Sequence, residues 1–231
     1  MGNMTPLTAM LVGTSGLCWT LVYILTIRRD FKDKTYGMPL VALAINFAWE
    51  FRFSIFCTAG EDFPMLVQII NTVWCIFDVV IVFTVFKFGY QAFKREHKLA
   101  TSKVMFYGEF LGALGFCFIF IFTAVPYFQG LPIFDNSVEE VAKFIAYGQN
   151  LLMSALFLAM YWHRGNLEGQ SFWIAFFKWL GTFAVMFEYL PNHMQPMMWL
   201  IMITITILDL CYMVTVWRAC KAQGENPLKR W

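Results

Sequence analysis

The sequence predicts an all-α membrane protein, seven transmembrane helices forming one domain over residues 1–231. Three observations carry that prediction. The 231 residues are 59% hydrophobic and only 14% charged, whereas soluble domains carry roughly 25% charged residues. Apolar runs of the about 20 residues that a bilayer span needs recur along the whole chain. Lysine and arginine fall in alternate loops, as cytosolic and external loops do.

The spans are expected at 6–27, 37–57, 65–87, 104–125, 138–161, 171–190 and 196–218. No Lys or Arg precedes the first. Arg28, Arg29, Lys32 and Lys34 follow it, and the next loop, TAGEDFP, has none. Lys87, Lys94, Arg95, Lys98 and Lys103 lie around the third loop, and PYFQGLPIFDNS has none. Arg164 follows span five, PNHMQ is free of cations, and Arg218, Lys221, Lys229 and Arg230 end the chain. Positive charge marks the cytosolic side, so the N-terminus is expected outside or in a lumen and the C-terminus in the cytosol. A missed span would spoil this alternation. The net charge of +2 comes mostly from the loop bias, and no nucleic-acid partner is expected. No basic start and cleavage site precedes span one, so no removable signal peptide is expected.

Five of the six cysteines lie in or at the ends of spans, and they read as small apolar residues rather than disulfides or ligands. Metal-ligand spacing and Gly-rich phosphate loops are absent, so no metal and no cofactor is expected.

Spans three and seven resemble each other. Residues 76–87 read IFDVVIVFTVFK and residues 207–218 read ILDLCYMVTVWR. Spans two and six carry Trp49-Glu50-Phe51 and Phe187-Glu188-Tyr189. Spans one to three and five to seven share orientation, with span four inverting between them. The pattern is that of a parallel three-plus-one-plus-three repeat, pairing Asp78 with Asp209 and Glu50 with Glu188. Chance similarity between apolar spans is the alternative.

Charged groups at mid-bilayer are costly and usually face the bundle interior. Glu50, Asp78 and Asp209 are too deep to reach the interface, whereas Lys178, Glu188, Glu109 and Lys143 lie near span ends, where snorkelling is open to them. Helical spacing gathers polar residues into stripes. Asn46, Glu50 and Ser54 share one face of span two, and Asn71, Trp74 and Asp78 one face of span three. Lys143, Tyr147, Asn150 and Ser154 line span five, and Thr206, Asp209 and Tyr212 line span seven. Facing one another, the stripes would form a cavity with a polar floor and aromatic walls, with Asn46, Trp49, Trp74, Asp78, Asn150, Glu188 and Tyr212 as substrate-binding candidates. Hydrogen bonding that merely holds the bundle together is the alternative. Arg52 points away from Glu50. Gly108 and Gly112 have the spacing of close helix packing.

In a dry cavity burial favours the neutral carboxyl, and a neutral carboxyl is a proton donor. Aromatic faces stabilise passing cations. Acid-initiated cyclisation of a polyprenyl chain fits these parts. The residues also carry a resemblance. Trp49-Glu50 on span two, Trp74-x-x-x-Asp78 on span three and Asp209-x-x-Tyr212 on the last span make the chain similar, over nearly its whole length, to the integral-membrane terpene cyclases of meroterpenoid and indole-diterpene biosynthesis. The pyripyropene and paxilline cyclases are of this type. The resemblance implies protonation of the epoxide, or terminal alkene, of a lipophilic prenylated aromatic or indole substrate, followed by carbocation cyclisation without a metal. It implies Glu50 and Asp209 as the catalytic acids, here expected to act as a coupled pair. A fungal member would lie in the endoplasmic reticulum membrane, a bacterial one in the inner membrane.

A proton-coupled small-molecule transporter is the main alternative, since mid-membrane acids and a parallel repeat suit one; the Pro-Gln signature of such carriers is missing. The Asp-rich motifs of Mg²⁺-diphosphate cyclases and prenyltransferases are missing too.

Overall fold

A computed structural model describes residues 5–96, 102–189 and 196–231; Lys98 and the PNHMQ loop lie outside them. Among the described residues seven long helices form and no β-strand does. They are α1 (Pro6–Asp33), α2 (Leu40–Ile55), α3 (Met65–Glu96), α4 (Lys103–Gln129), α5 (Val138–Arg164), α6 (Phe172–Tyr189) and α7 (Pro196–Ala222). Their ends follow local chemistry. Thr5, Ser102 and Ser137 each accept a backbone N–H of the first turn of α1, α4 and α5, which satisfies one of the orphan donors there. Pro39 and Pro64 stand just before α2 and α3. Gly165, at φ 63°, closes α5 in the left-handed conformation.

Five of these helices, α1, α3, α4, α5 and α7, are long and apolar enough to cross a membrane. The sequence predicts spans at 37–57 and 171–190 as well. The structure forms helices at both places, but α2 has 16 residues and α6 has 18. They are about 24 and 27 Å long at 1.5 Å per residue, against a hydrocarbon core of about 30 Å. Conversely, α1, α3 and α7 run past the apolar runs into charged segments such as Ile27–Asp33, because helical hydrogen bonding does not stop where hydropathy does.

Within the first triple, α3 packs against both α1 and α2; within the last, α7 packs against both α5 and α6. The triples meet where α1 packs on α6 and α2 on α5. The α1–α6 contact is close at Gly181, where an added Cβ would lie 2.8 Å from the Trp19 ring. Helix α4 packs on α2 and α5. Its Gly108 and Gly112 meet no atom within 4 Å of an added Cβ, so the expected close packing there is not made inside this chain. A π-helical turn, Val85–Gly89, widens the lower part of α3. Just above it the Thr84 hydroxyl donates to Asp30 Oδ2 at 2.7 Å and ties α3 to α1. The interior beneath, around Leu43, Ile81, Phe157 and Tyr212, is filled with side chains.

Candidate active site

Between the two triples lies a cavity of about 200 Å³, lined from α1, α2, α3, α5 and α6. It begins at the ends of these helices that carry Thr8, Glu139 and Glu188, and reaches inward to Tyr23, Asn46 and Gln149. Its walls are aromatic, as the sequence predicts. Trp19, Tyr23 and Trp74 form a continuous cluster, with ring centroids 6.4 Å and 6.2 Å apart. The Trp49 indole N–H donates to the Ala142 carbonyl at 3.1 Å, and that of Trp74 to the Thr20 hydroxyl at 3.1 Å. These bonds occupy the polar edges and fix the rings against the cavity.

The inner end is polar. Asn46 uses both amide hydrogens, donating to the Tyr23 hydroxyl at 2.7 Å and to Asp78 Oδ2 at 2.8 Å. Gln149 donates to Asn46 Oδ1 at 3.3 Å. The Tyr23 hydroxyl in turn donates to Glu50 Oε1 at 3.1 Å. Glu50 and Asp78 are 2% and 0% exposed, and their second oxygens, Oε2 and Oδ1, have no protein partner. Every hydrogen bond to these two carboxyls comes from a neutral group. A carboxyl buried this way has no cation among its hydrogen-bond partners to offset a negative charge. Glu50 lines the cavity, while Asp78 lies behind it, one amide away.

Of the predicted site residues, Glu50, Asn46, Trp49, Trp74, Asn150 and Glu188 line this one cavity. Asp209 and Tyr212 do not. Helix α7 contributes no lining residue, and the expected pairing of Asp209 with Glu50 is not made. Instead Asp209 Oδ1 accepts from Lys178 Nζ at 2.7 Å, and Lys178 also donates to the Ser154 hydroxyl at 2.7 Å. The Tyr212 hydroxyl donates to Gln170. Lys178, expected to be able to snorkel, is fully buried: the Asp209 carboxylate compensates it, so it has no need of the interface. Lys143 does sit near its helix end, in the second turn of α5, bridging Glu139 at 3.0 Å, Glu140 at 3.4 Å and Glu188 at 3.5 Å. The Arg52 guanidinium donates to the Phe56 carbonyl at 3.0 Å and lies over the Phe53, Phe56 and Phe122 rings.

Tyr23, Gln149 and Thr182 belong to the site but not to the sequence-derived set. Tyr23 was within reach: Ser15, Trp19 and Tyr23 repeat at four-residue spacing on span one, and all three line the cavity. No group of three or more His, Cys, Asp or Glu that could hold a metal ion occurs among the described residues.

A profile describing Pyr4-like transmembrane terpene cyclases matches residues 2–222. The chain belongs to that family of membrane terpene cyclases. It is similar to the Pyr4-family terpene cyclase mfmH of Annulohypoxylon moriforme, with 34% identity over 173 residues, covering 74% of this chain and 65% of the relative. It is similar to terpene cyclase cle7 of Aspergillus versicolor, with 28% identity over 84% of this chain and 76% of the relative. With terpene cyclase pyr4 of Aspergillus fumigatus it shares 23% identity over 93% of this chain and 88% of the relative. The chain thus spans 65% of the length of the first of these relatives. No solved structure matches it.

Proposed function

We propose that this protein cyclises a lipophilic prenylated aromatic or indole, with Glu50 as the acid that protonates the terminal epoxide or alkene, and without a metal. The observation that carries the reading is the placement of Glu50. One carboxyl oxygen is held by Tyr23, and the other, unpartnered, belongs to a side chain that lines an aromatic cavity. Asp78, joined to the same network through Asn46, is the second carboxyl of the unit. It holds Asn46, and Asn46 holds the Tyr23 hydroxyl that fixes Glu50. Asp209, bonded to buried Lys178, is a positioning residue in this reading, keeping α6 and α7 in register beside the cavity. Trp49, Trp74 and Tyr23 face the cation, and Asn150 and Glu188 contact the substrate toward α5 and α6.

The proposal includes seven membrane crossings with the N-terminus outside and the C-terminus cytosolic, α2 and α6 being short spans sheltered by their neighbours. The packing of α3 between α1 and α2, and of α7 between α5 and α6, supports a parallel duplication. The curated relatives are fungal, which supports the endoplasmic reticulum membrane. Family membership supports a cyclase over a transporter.

The test is direct. Membranes containing the protein are incubated with an epoxyprenyl arene, and an isomer of unchanged mass is sought. Glu50→Gln keeps shape and hydrogen bonding but removes the acidic proton, and it should abolish product with normal expression. Retention of more than about a tenth of wild-type turnover, a barrier change below about 1.4 kcal/mol, would remove Glu50 from the role.

A further inference from the structure

Acid-initiated cyclisation leaves a cation that must lose a proton, and Glu50 has just given its own away. A second carboxylate lines the same cavity. Glu188, on α6, is salt-bridged to Lys143 at 3.5 Å, and its side chain is 17% exposed. It lies toward the outer end, whereas Glu50 joins the network at the inner end. Of the three carboxyls lining the cavity, Glu50 and Glu188 have opposite surroundings, one bonded only by neutral groups and one facing an ammonium, the pattern that separates an acid from a base. We propose that Glu188 is the base that ends the cascade.

The electrostatics fit this role. Three carboxylates, Glu139, Glu140 and Glu188, share the single ammonium of Lys143. A proton placed on Glu188 relieves repulsion among them and leaves Lys143 two partners. Glu139 also lines the cavity, but its side chain is 34% exposed, twice the exposure of Glu188, so Glu188 is the more sheltered of the two. Tyr147, also lining the cavity, packs against Tyr189 with ring centroids 5.2 Å apart and planes tilted by 42°, and offers a π face to the late cation.

The steps balance. The Glu50 O–H proton passes to the epoxide oxygen, the bond from oxygen to the more substituted carbon breaks, and the oxygen keeps that pair as a hydroxyl. Alkene pairs close the rings, and positive charge moves along the chain from the Glu50 end toward the outer end. A C–H bond beside the final cation breaks, its pair becomes the new double bond, and the proton goes to Glu188. The product is an isomer of the substrate, and solvent protons exchanging through the outer end restore both carboxyls.

The inference rests on the cyclase reading, and the experiment separates the two. Purified wild type, Glu188→Gln, Glu188→Asp and Glu139→Gln are given an epoxyprenyl arene, and products are resolved by chromatography and mass spectrometry. Glu188→Gln should still consume substrate but divert at least about tenfold more of it, a 1.4 kcal/mol change in partitioning, to other alkene isomers or to an alcohol formed by water capture. Glu188→Asp should restore most of the wild-type product, and Glu139→Gln, which removes a neighbour of the base rather than the base, should divert far less substrate than Glu188→Gln does. An unchanged product pattern in Glu188→Gln overturns the assignment, as does a diversion seen in Glu139→Gln instead. Loss of all substrate consumption in a Glu188→Gln protein that still runs as a monodisperse peak in detergent also overturns it, because it would place Glu188 before the first step. If wild type forms no cyclised isomer at all, the cyclase reading itself fails.

Discussion

At the scale of single residues, the site turns on how Asn46 distributes its two hydrogens. One goes to Asp78 and one to the Tyr23 hydroxyl that holds Glu50. Groups coupled this way lose function non-additively. The double variant Glu50→Gln with Asp78→Asn should be little worse in kcat/KM than the more damaging single one; losses that multiply would show separate roles. Asn46→Ala should lower turnover without abolishing it, by about 1–3 kcal/mol for the hydrogen-bonding groups left unpaired. Glu50 and Asp78 were legible in the sequence because a carboxylate inside an apolar run has few places to go. The partner of Asp209 was not. Lys178 lies close enough to a span end to reach either the interface or the interior, and hydropathy does not say which. Only the rotation of α6 against α7 settles it, and that is set by packing.

At the scale of elements, helices α6 and α7 are joined by a buried ion pair, Lys178–Asp209 at 2.7 Å, with both side chains at most 1% exposed. Breaking such a pair from one side strands a charge and costs about 3–5 kcal/mol, while replacing both partners with neutral groups is often tolerated. Lys178→Met alone and Asp209→Asn alone should therefore lower the unfolding temperature in detergent, and the double variant should recover most of the loss. Turnover discriminates further. If Asp209 only positions α7, the double variant regains activity with stability; if Asp209 itself gives or takes the proton, the double variant is stable and inactive. Apolar runs placed all seven helices, five of them within four residues at each end; α1 and α3 run six and nine residues further into charged sequence. The first turn expected of α2 is lost because Pro39 closes off the helix before Leu40, and a count of apolar residues through 37–57 does not register that.

On the scale of the whole molecule, the cavity lies between the two triples, and the proposed chemistry divides between them: the first holds Glu50 and Asp78, the second Lys143 and Glu188. The absence of Asp-rich diphosphate motifs leads to a further expectation. Excess EDTA should leave the turnover of purified protein unchanged, and a loss restored by Mg²⁺ would sink the proposed initiation. Cysteines introduced into the loops and probed with a membrane-impermeant thiol reagent test the topology. Label at the TAGEDFP loop from outside and at residues 223–231 only after permeabilisation is expected; the reverse would invert the assignment.

The cavity reaches the ends of its helices near Thr8, Val12 and Glu188, while the interior beyond its other end is filled by Leu43, Ile81, Phe157 and Tyr212. On the proposed function, a supple chain enters, threading a narrow way by bending at each single bond, and a stiff plate of fused rings must leave by the same doorway without bending at all. Departure, rather than ring closure, is then expected to be the slow event. A rapid first turnover equal to the amount of enzyme, followed by a slower steady rate, is the expected time course, and variants that trim the doorway at Thr8 or Val12 to smaller residues should speed the second phase and leave the first alone.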